Sequence, residues 1–140
     1  MKPIQQSIFD FEHGDCFRAC VASIFELPLS AIPNFMEEGP EFFWDKLSDW
    51  TNKFNLKALD ITFSSDEFHL FWLKDVWVIA MGKSPRNANF DHCVVWYNGK
   101  MKHDPHPDNL GTMGEPHTFT VFIVKNLSRM KEKEITNGIS

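Results

Sequence analysis

The dipeptide Asn98-Gly99 lies between two predicted strands, at 91–97 and 100–104. Asn followed by Gly is the strongest short-range signal for a β-hairpin, because both residues tolerate the positive φ angles of a tight turn. The two segments are therefore predicted to pair as antiparallel neighbours. Further strands are predicted at 56–63, 76–81 and 117–124.

Two helices are predicted ahead of most of these strands. The first runs from Asp15 to about Glu26 and is apolar on nearly all sides, which is typical of a central helix. The second runs from Pro40 to about Phe54, with large apolar side chains at i, i+4, i+7 and i+11. Residues 65–72 are ambiguous between a short helix and a turn, and residues 105–116 are interpreted as a loop. Helices followed by antiparallel strands predict an α+β fold.

The length of 140 residues suits one domain, predicted at 1–124, with a polar flexible tail at 125–140. The net charge is −5, and the tail is basic, so the body is acidic and no nucleic-acid partner is expected. No apolar run reaches the ~18 residues of a membrane span, and no signal peptide is recognised, so no membrane partner is expected. Three cysteines without a scaffold pattern indicate a reducing, cytoplasmic setting.

Cys16 follows Gly14 and Asp15 at the predicted start of the first helix. Gly14 permits a close approach of the chain, and Asp15 is a good N-cap residue because its carboxylate can accept hydrogen bonds from unpaired N–H groups. The first helical turn also favours an anion, so a cysteine there can become a reactive thiolate. On this stretch alone, an inert buried cysteine is the favoured interpretation. A catalytic role needs a base elsewhere.

His92 opens the first strand of the predicted hairpin, and Asp104 comes twelve residues later. Thiol catalysis uses an imidazole to take the thiol proton and a carboxylate to orient the imidazole. With a two-residue turn in regular pairing, Asp104 falls opposite Cys93, on the wrong face unless a further bulge shifts it. With a three-residue loop at 97–99, Asp104 lies directly opposite His92, at a Cβ separation of ~5 Å. We predict the three-residue loop, on the condition that the triad is real.

Other polar residues are weaker candidates. Asp91 adjoins His92 but points to the other face of the strand, and His103 would fall opposite Cys93 in the preferred register. The same weaker standing applies to residues in or beside the loop: His106, Asp108 and His117. Acidic residues at 37–45 are interpreted as a solvated helix start. Four aromatic side chains are expected to pack in the core rather than line a groove: Phe42, Phe43, Trp44 and Phe71.

Two blocks of sequence resemble small papain-like cysteine hydrolases, the C39-peptidase-like group in particular. The first block is Gly14-Asp15-Cys16-Phe17-x-Ala19-Cys20-Val21-Ala22-Ser23, followed by Leu27-Pro28-Leu29 and Ile32-Pro33. The second runs from Ser84-Pro85-Arg86 through His92-x-Val94-Val95 to His103-Asp104-Pro105-His106-Pro107. The likeness covers roughly residues 4–110. It implies a papain-like fold, in which the cysteine-bearing helix packs on an antiparallel sheet that carries His and Asp.

The resemblance implies Cys16 as the nucleophile, His92 as the base and Asp104 as the orienting carboxylate. Papain-like enzymes usually form the oxyanion hole from a glutamine shortly before the cysteine and from the backbone N–H of the cysteine itself. The position six residues before Cys16 is Asp10, so Gln6 is the predicted side-chain donor, because Gln6-Ser7-x-Phe9 looks like the Gln segment of the small group. The implied substrate is a peptide, isopeptide or other amide, with no cofactor or metal.

Two other interpretations stay open. The same scaffold can serve as a non-catalytic binding module, an interpretation that Asp10 in place of Gln leaves open. A zinc domain is the second, because zinc can take two Cys and two His, although the usual zinc-finger spacing is absent. The zinc candidates are Cys16, Cys20, His92, Cys93, His103 and His106. Within the enzyme class, amide hydrolysis, isopeptide cleavage, deamidation and acyl transfer all run on the same triad.

Overall fold

A computed structural model describes residues 1–63 and 71–129. Its helices include α1 (Cys16–Phe25) and α2 (Phe43–Asn52), the second preceded by a one-turn 3-10 helix at Pro40–Phe42. Its strands are β1 (Leu56–Ile61), β2 (Trp77–Lys83), β3 (Asp91–Tyr97), β4 (Lys100–His103) and β5 (Met113–Val124). The predicted α+β class is confirmed. Among the described residues, no helix combines the length and the apolar character needed to cross a membrane.

The strands form one antiparallel sheet in the order β1-β5-β2-β3-β4. The last strand in the chain, β5, lies between β1 and β2 and pairs with both. The β3–β4 hairpin is therefore held to the rest of the sheet through β2 alone. This arrangement leaves β4 as an edge strand, next to the segment that carries Asp104.

Helix α1 packs on one face of the sheet, against β2 and β3. Its middle is fully buried, and its apolar side chains share a core cluster with Ile79, Cys93 and Val95 of the sheet. The opposite face of the sheet carries a second cluster, which includes Val78 and Val94, as expected from the two-residue period of a strand. The first helix is thus central, as predicted, and Cys16 at its N-terminus lies close to the beginning of β3.

Strand β5 begins at Met113, which corrects the predicted start at His117. Met81 pairs with Thr118, but Lys83 pairs with Met113, so the extra residues of β5 form an irregularity in the ladder. Pro116 lies within that irregularity, where its missing N–H costs no regular ladder bond. Proline and glycine therefore suggested a loop where the chain forms a bulged strand. The interpretation of 65–72 lies mostly outside the described residues, as does that of the tail from residue 130 onward.

The β3–β4 turn is also different from the prediction. Tyr97 pairs with Lys100, so the loop consists of Asn98 and Gly99 alone, and the predicted three-residue loop is wrong. Both loop residues have positive φ angles, 50° for Asn98 and 77° for Gly99, as a type I′ turn requires. This turn matches the right-handed twist of the paired strands, which is why it prevails over the longer loop. By itself, this register would place Asp104 on the wrong face.

A β-bulge in β4 changes that outcome. Trp96 pairs with Met101, whereas Val95 pairs with His103, so Lys102 is an extra residue with no partner in β3. One inserted residue reverses the alternation of everything that follows it. Asp104 therefore comes within reach of His92, although it is not directly opposite His92 as predicted.

Candidate active site

Cys16 is the first residue of α1, and its half-buried side chain lines a cavity of about 400 Å³. The N–H groups of the first helical turn have no intrahelical partners, so this position favours a thiolate. The preceding loop approaches closely at Gly14, where a Cβ atom would lie 2.5 Å from the carbonyl oxygen of Asp10. The close approach predicted for Gly14 is therefore confirmed, and it is made with the backbone.

Asp15 precedes the helix as predicted, but its side chain does not cap α1. The fully buried carboxylate instead accepts hydrogen bonds from Ser7 N at 2.9 Å, Ile8 N at 2.8 Å and Ser7 Oγ at 2.8 Å. Arg18 Nη1 lies 3.3 Å from Oδ2 of the same carboxylate, the oxygen that also accepts the bond from Ser7 Oγ. With its oxygens committed in this way, Asp15 attaches the N-terminal segment to the start of α1. The segment that carries Gln6 is thereby held near Cys16.

His92 and Asp104 form a buried pair, with 2.7 Å between His92 Nε2 and Asp104 Oδ1. The carboxylate also accepts hydrogen bonds from His106 N at 2.9 Å and Gly111 N at 2.8 Å. Burial raises the pKa of Asp104, but the hydrogen bonds from His92, His106 and Gly111 outweigh burial and lower the pKa below its ordinary value. Asp104 therefore stays ionised, as an orienting carboxylate must.

The imidazole of His92 is held in one orientation. Since Nε2 is bonded to Asp104, the ring nitrogen left for another partner is Nδ1. Burial lowers the pKa of His92, but the hydrogen bonds and charges of Asp104 and Cys16 outweigh burial and raise the pKa to about 9. At neutral pH, His92 is therefore an imidazolium between a carboxylate and a thiolate.

Cys16 is the cysteine that ionises. A hydrogen bond from the Cys93 thiol, followed by the hydrogen bond and charge of His92, holds the pKa of Cys16 well below its ordinary value despite burial. The pKa of Cys93 is held well above its ordinary value by the same bond to Cys16 and by burial. Burial and the charge of Cys16 also raise the pKa of Cys20 well above its ordinary value. The thiol with the lowered pKa thus lies beside two thiols whose pKa is raised.

The contact between Cys93 and Cys16 is the functional feature that sequence reasoning missed. Strand alternation places the side chains of Cys93 and His92 on opposite faces of β3, so their adjacency in sequence does not predict a shared partner. Cys16 lies at the beginning of the strand, however, and interacts with both of them. The signal available in the sequence was the adjacency of Cys93 to the candidate base.

Gln6 lines the same cavity and is 9% exposed. Its Nε2 atom donates a hydrogen bond to Ile8 O at 2.9 Å, which uses one of the two N–H groups of the amide. The second N–H is left for another acceptor, and Oε1 is buried with no hydrogen-bond partner within the described part of the chain. The backbone N–H of Cys16 belongs to the first turn of α1, which has no intrahelical acceptors.

The weaker candidates have partners of their own. Asp91 lies 3.1 Å from His117 Nε2, and both side chains are exposed. His103 Nε2 bonds to Ile4 O at 2.7 Å and lies opposite Val95, which corrects the predicted position opposite Cys93. Asp108 Oδ2 forms an ion pair with Arg86 Nη1 at 2.7 Å, and Asp108 Oδ1 lies 3.1 Å from His106 Nδ1. These contacts hold the loops around the His92–Asp104 pair in place.

Aromatic side chains form part of the cavity wall. Phe11 and Phe90 stack at a centroid distance of 4.8 Å, and Trp44, which is 46% exposed, lines the same cavity. The expectation of core packing is therefore wrong for the exposed residues Phe42, Trp44 and Phe71, whereas Phe43 does pack against the core. Carboxylates complete the lining: Asp10, Glu12, Asp60 and Asp91.

Within residues 1–63 and 71–129, no group of three or more His, Cys, Asp or Glu side chains is placed to hold a metal ion. Two of the zinc candidates are engaged elsewhere, His103 with the Ile4 carbonyl and His106 Nδ1 with the backbone N–H of Asp108. The described geometry thus groups Cys16 with an acid–base pair. No protein-family model, no curated protein and no solved structure matches this chain.

Proposed function

We propose that the protein is a cysteine-dependent hydrolase that cleaves an amide bond through a thioacyl intermediate. The observation that carries the proposal is the series Cys16–His92–Asp104, in which a thiolate lies beside an imidazole bonded at 2.7 Å to a carboxylate. A cysteine-bearing helix packed on an antiparallel sheet supports the further proposal of a small papain-like, C39-peptidase-like fold. Gln6 and the backbone N–H of Cys16 are the proposed oxyanion donors.

In the first step, Cys16 Sγ attacks the carbonyl carbon of a substrate amide in the cavity. The carbonyl oxygen gains negative charge, and the free N–H of Gln6 and the N–H of Cys16 donate hydrogen bonds to it. His92 Nδ1 then gives its proton to the leaving nitrogen, so the C–N bond breaks and a thioester remains on Cys16. Asp104 keeps the ring oriented throughout and stabilises the imidazolium.

In the second step, water hydrolyses the thioester. The imidazole, which has lost its proton to the leaving amine, takes a proton from water as the hydroxyl attacks the acyl carbon. The C–S bond breaks, and the acid product leaves while the Cys16 thiolate and the His92 imidazolium are restored. Acyl transfer differs only in the nucleophile that replaces water.

The cavity favours a peptide-like substrate that is apolar and neutral or cationic. The stacked pair Phe11–Phe90 and the exposed Trp44 offer apolar contacts on the cavity wall. The lining carboxylates outnumber the single lining guanidinium, Arg86, which is itself paired with Asp108. An acidic substrate would be repelled by this potential.

The first test is differential alkylation by iodoacetamide at about pH 6.5, read by mass spectrometry for each cysteine. Cys16 should react far faster than Cys20 and Cys93, and His92→Ala should slow Cys16 selectively. Cys20→Ala is the matched control, because Cys20 shares the helix face but not the base. Equal and slow reaction of all three cysteines would contradict the proposal and favour a non-catalytic binding module.

The second test is turnover. A library of peptidyl-aminomethylcoumarin amides is incubated with the wild-type protein and with Cys16→Ala. Release of the fluorophore by the wild type alone supports hydrolysis, and the fastest peptide becomes the reference substrate. A reactive Cys16 without turnover of any amide, including added protein substrates, would contradict the hydrolase proposal while leaving the thiolate in place.

A further inference from the structure

Cys93 is a second thiol beside the nucleophile that the proposed hydrolysis does not use. It follows His92 in β3, pairs across the sheet with Met81, and is 5% exposed. It lines the same cavity as Cys16 and belongs to the core cluster against which Cys16 packs. The two side chains also interact, since the Cys93 thiol lowers the pKa of Cys16 and Cys16 raises the pKa of Cys93.

We propose that Cys93 is a resolving cysteine, which forms a reversible disulfide with Cys16 after a hydroperoxide has oxidised Cys16. The site is thus an oxidation site with hydrogen peroxide or an organic hydroperoxide as its reactant. It goes beyond the proposed hydrolysis and depends only on a reactive Cys16 thiolate. Thiolates that are reachable from solvent and lie next to a second thiol are the usual sites of reversible oxidation.

The oxidation of the two thiols by a hydroperoxide takes two steps. The Cys16 thiolate attacks one peroxide oxygen, the O–O bond breaks, and the hydroxide that leaves takes the proton of the His92 imidazolium to become water. Cys16 is now a sulfenic acid. The Cys93 sulfur then attacks the Cys16 sulfur, the S–O bond breaks, and the second hydroxide leaves as water with the proton of Cys93. Peroxide is reduced to two water molecules, and two thiols are oxidised to one disulfide.

The charge at Cys16 controls when Cys93 can attack. The hydrogen bond to the Cys16 thiolate and the negative charge there contribute to the raised pKa of Cys93. Conversion of Cys16 to a neutral sulfenic acid removes that charge, so the Cys93 thiol becomes easier to deprotonate. The second thiol is therefore held protonated while Cys16 is intact and becomes more nucleophilic after oxidation.

Cys20 is a poorer partner, although it lies near Cys16. Residues four apart on a helix have Cβ atoms ~5–6 Å apart, whereas a disulfide needs a Cβ separation of about 3.5–4.5 Å. A bond between Cys16 and Cys20 would therefore distort the first turn of α1. Cys93 approaches from β3, across the interface of helix and sheet, and no helical spacing opposes its bond to Cys16.

The disulfide would occupy the nucleophile and stop hydrolysis until a thiol reductant restores it. It would also protect Cys16 from further oxidation to the sulfinic and sulfonic acids, which ordinary thiols do not reduce. We therefore expect reversible inactivation by peroxide in the wild type and irreversible loss of the Cys16 thiol in a chain without Cys93.

The experiment treats the reduced full chain with hydrogen peroxide, alkylates the remaining thiols, and maps the products by peptide mass spectrometry without reduction. In the wild type we expect a peptide pair linked through Cys16 and Cys93, with Cys20 alkylated, and full recovery of free Cys16 after dithiothreitol. In Cys93→Ser we expect Cys16 sulfinic and sulfonic acid and loss of most of that recovery. Cys20→Ser is the matched control and should behave as the wild type does.

A link between Cys16 and Cys20, or equal loss of Cys16 in the wild type and in Cys93→Ser, would overturn the proposal. Cys93→Ala serves as a second variant in case the serine hydroxyl disturbs the buried site, and the wild-type peptide map decides the matter if neither variant folds. Because every readout is a cysteine mass, the result does not depend on turnover. If the chain forms the disulfide but cleaves no amide, the hydrolase proposal is refuted and the disulfide proposal stands.

Discussion

The start of α1 and the β3–β4 hairpin hold the two halves of the candidate site by different means. Cys16 is positioned by contacts between residues close in sequence, chiefly those of the Asp15 carboxylate with Ser7 and Ile8. His92 and Asp104 are brought together by a tight turn and one bulge residue, Lys102. A change at the helix start alters contacts one at a time, whereas a one-residue shift of register in the hairpin moves a whole set of side chains to the other face.

The largest expected effect comes from deletion of both Met101 and Lys102. Regular pairing would then place Asp104 opposite Val95, on the other face from His92, and kcat/KM on the reference peptide amide should fall by about 10⁴-fold. Deletion of Lys102 alone removes the bulge but leaves His103 opposite Val95 and Asp104 on the face of His92, so its effect on kcat/KM should be much smaller. Lys102→Ala keeps the bulge and should change kcat/KM by less than about threefold, since the side chain is exposed. A variant without Met101 and Lys102 that retains full activity and a normal circular dichroism spectrum would show that the register of β4 does not position the pair.

The start of α1 and the hairpin also differ in how far the sequence predicts them. The start of α1 was predictable because an N-cap residue and a run of buried apolar side chains are local signals. The hairpin was predictable as a hairpin, but its loop length was not, since Asn-Gly suits both the two-residue turn and the longer loop. The bulge at Lys102 leaves no mark in composition, because an extra residue in an edge strand needs no special side chain.

The wrong predictions for Asp15 and Trp44 have a similar cause. The role of Asp15 was predicted as a helix cap, but residues seven and eight positions away provide the hydrogen-bond donors, and no local pattern identifies them. Trp44 was expected in the core because large aromatic side chains are usually buried, yet it lines the cavity. In each case the deciding contact depends on how segments meet, which a reading of separate segments does not contain.

Gln6→Ala is expected to have the next largest effect. Loss of one oxyanion donor lowers kcat by about 10²–10³-fold, with little change in KM, because the hydrogen bond strengthens only as charge develops on the carbonyl oxygen. The alkylation rate of Cys16 should stay close to that of the wild type. Gln5→Ala is the matched control, because the neighbouring Gln5 is exposed. Equal effects of the two substitutions would remove Gln6 from the oxyanion hole.

Asp15→Asn tests the helix side of the comparison. The amide keeps the shape of the carboxylate but places an N–H₂ group where an oxygen accepts hydrogen bonds from Ser7 and Ile8. The free energy of unfolding should fall by about 1–3 kcal/mol, as expected when a buried donor loses its acceptor. Urea denaturation measures the change, with Asp10→Asn as an exposed control. An unchanged midpoint would mean that the N-terminal segment is held by other contacts.

The smallest effects are graded ones with pH, and they separate the two halves of the site. The low pKa of Cys16 supplies the thiolate, so kcat/KM rises with pH through that pKa, and it falls as His92 loses its proton near pH 9, about tenfold per unit. Since the pKa of His92 is raised on folding, its contribution to stability is complete below its ordinary value of 6.5 and is lost as the pH rises to about 9.

Asp104→Asn removes the carboxylate that raises the pKa of His92, so the basic limb should move to lower pH while the reactive Cys16 persists at neutral pH. Rates on the reference peptide amide and alkylation of Cys16, measured over the same pH range, follow the two groups separately. If the basic limb of Asp104→Asn stayed at the wild-type position, the hairpin carboxylate would have no part in holding the His92 proton.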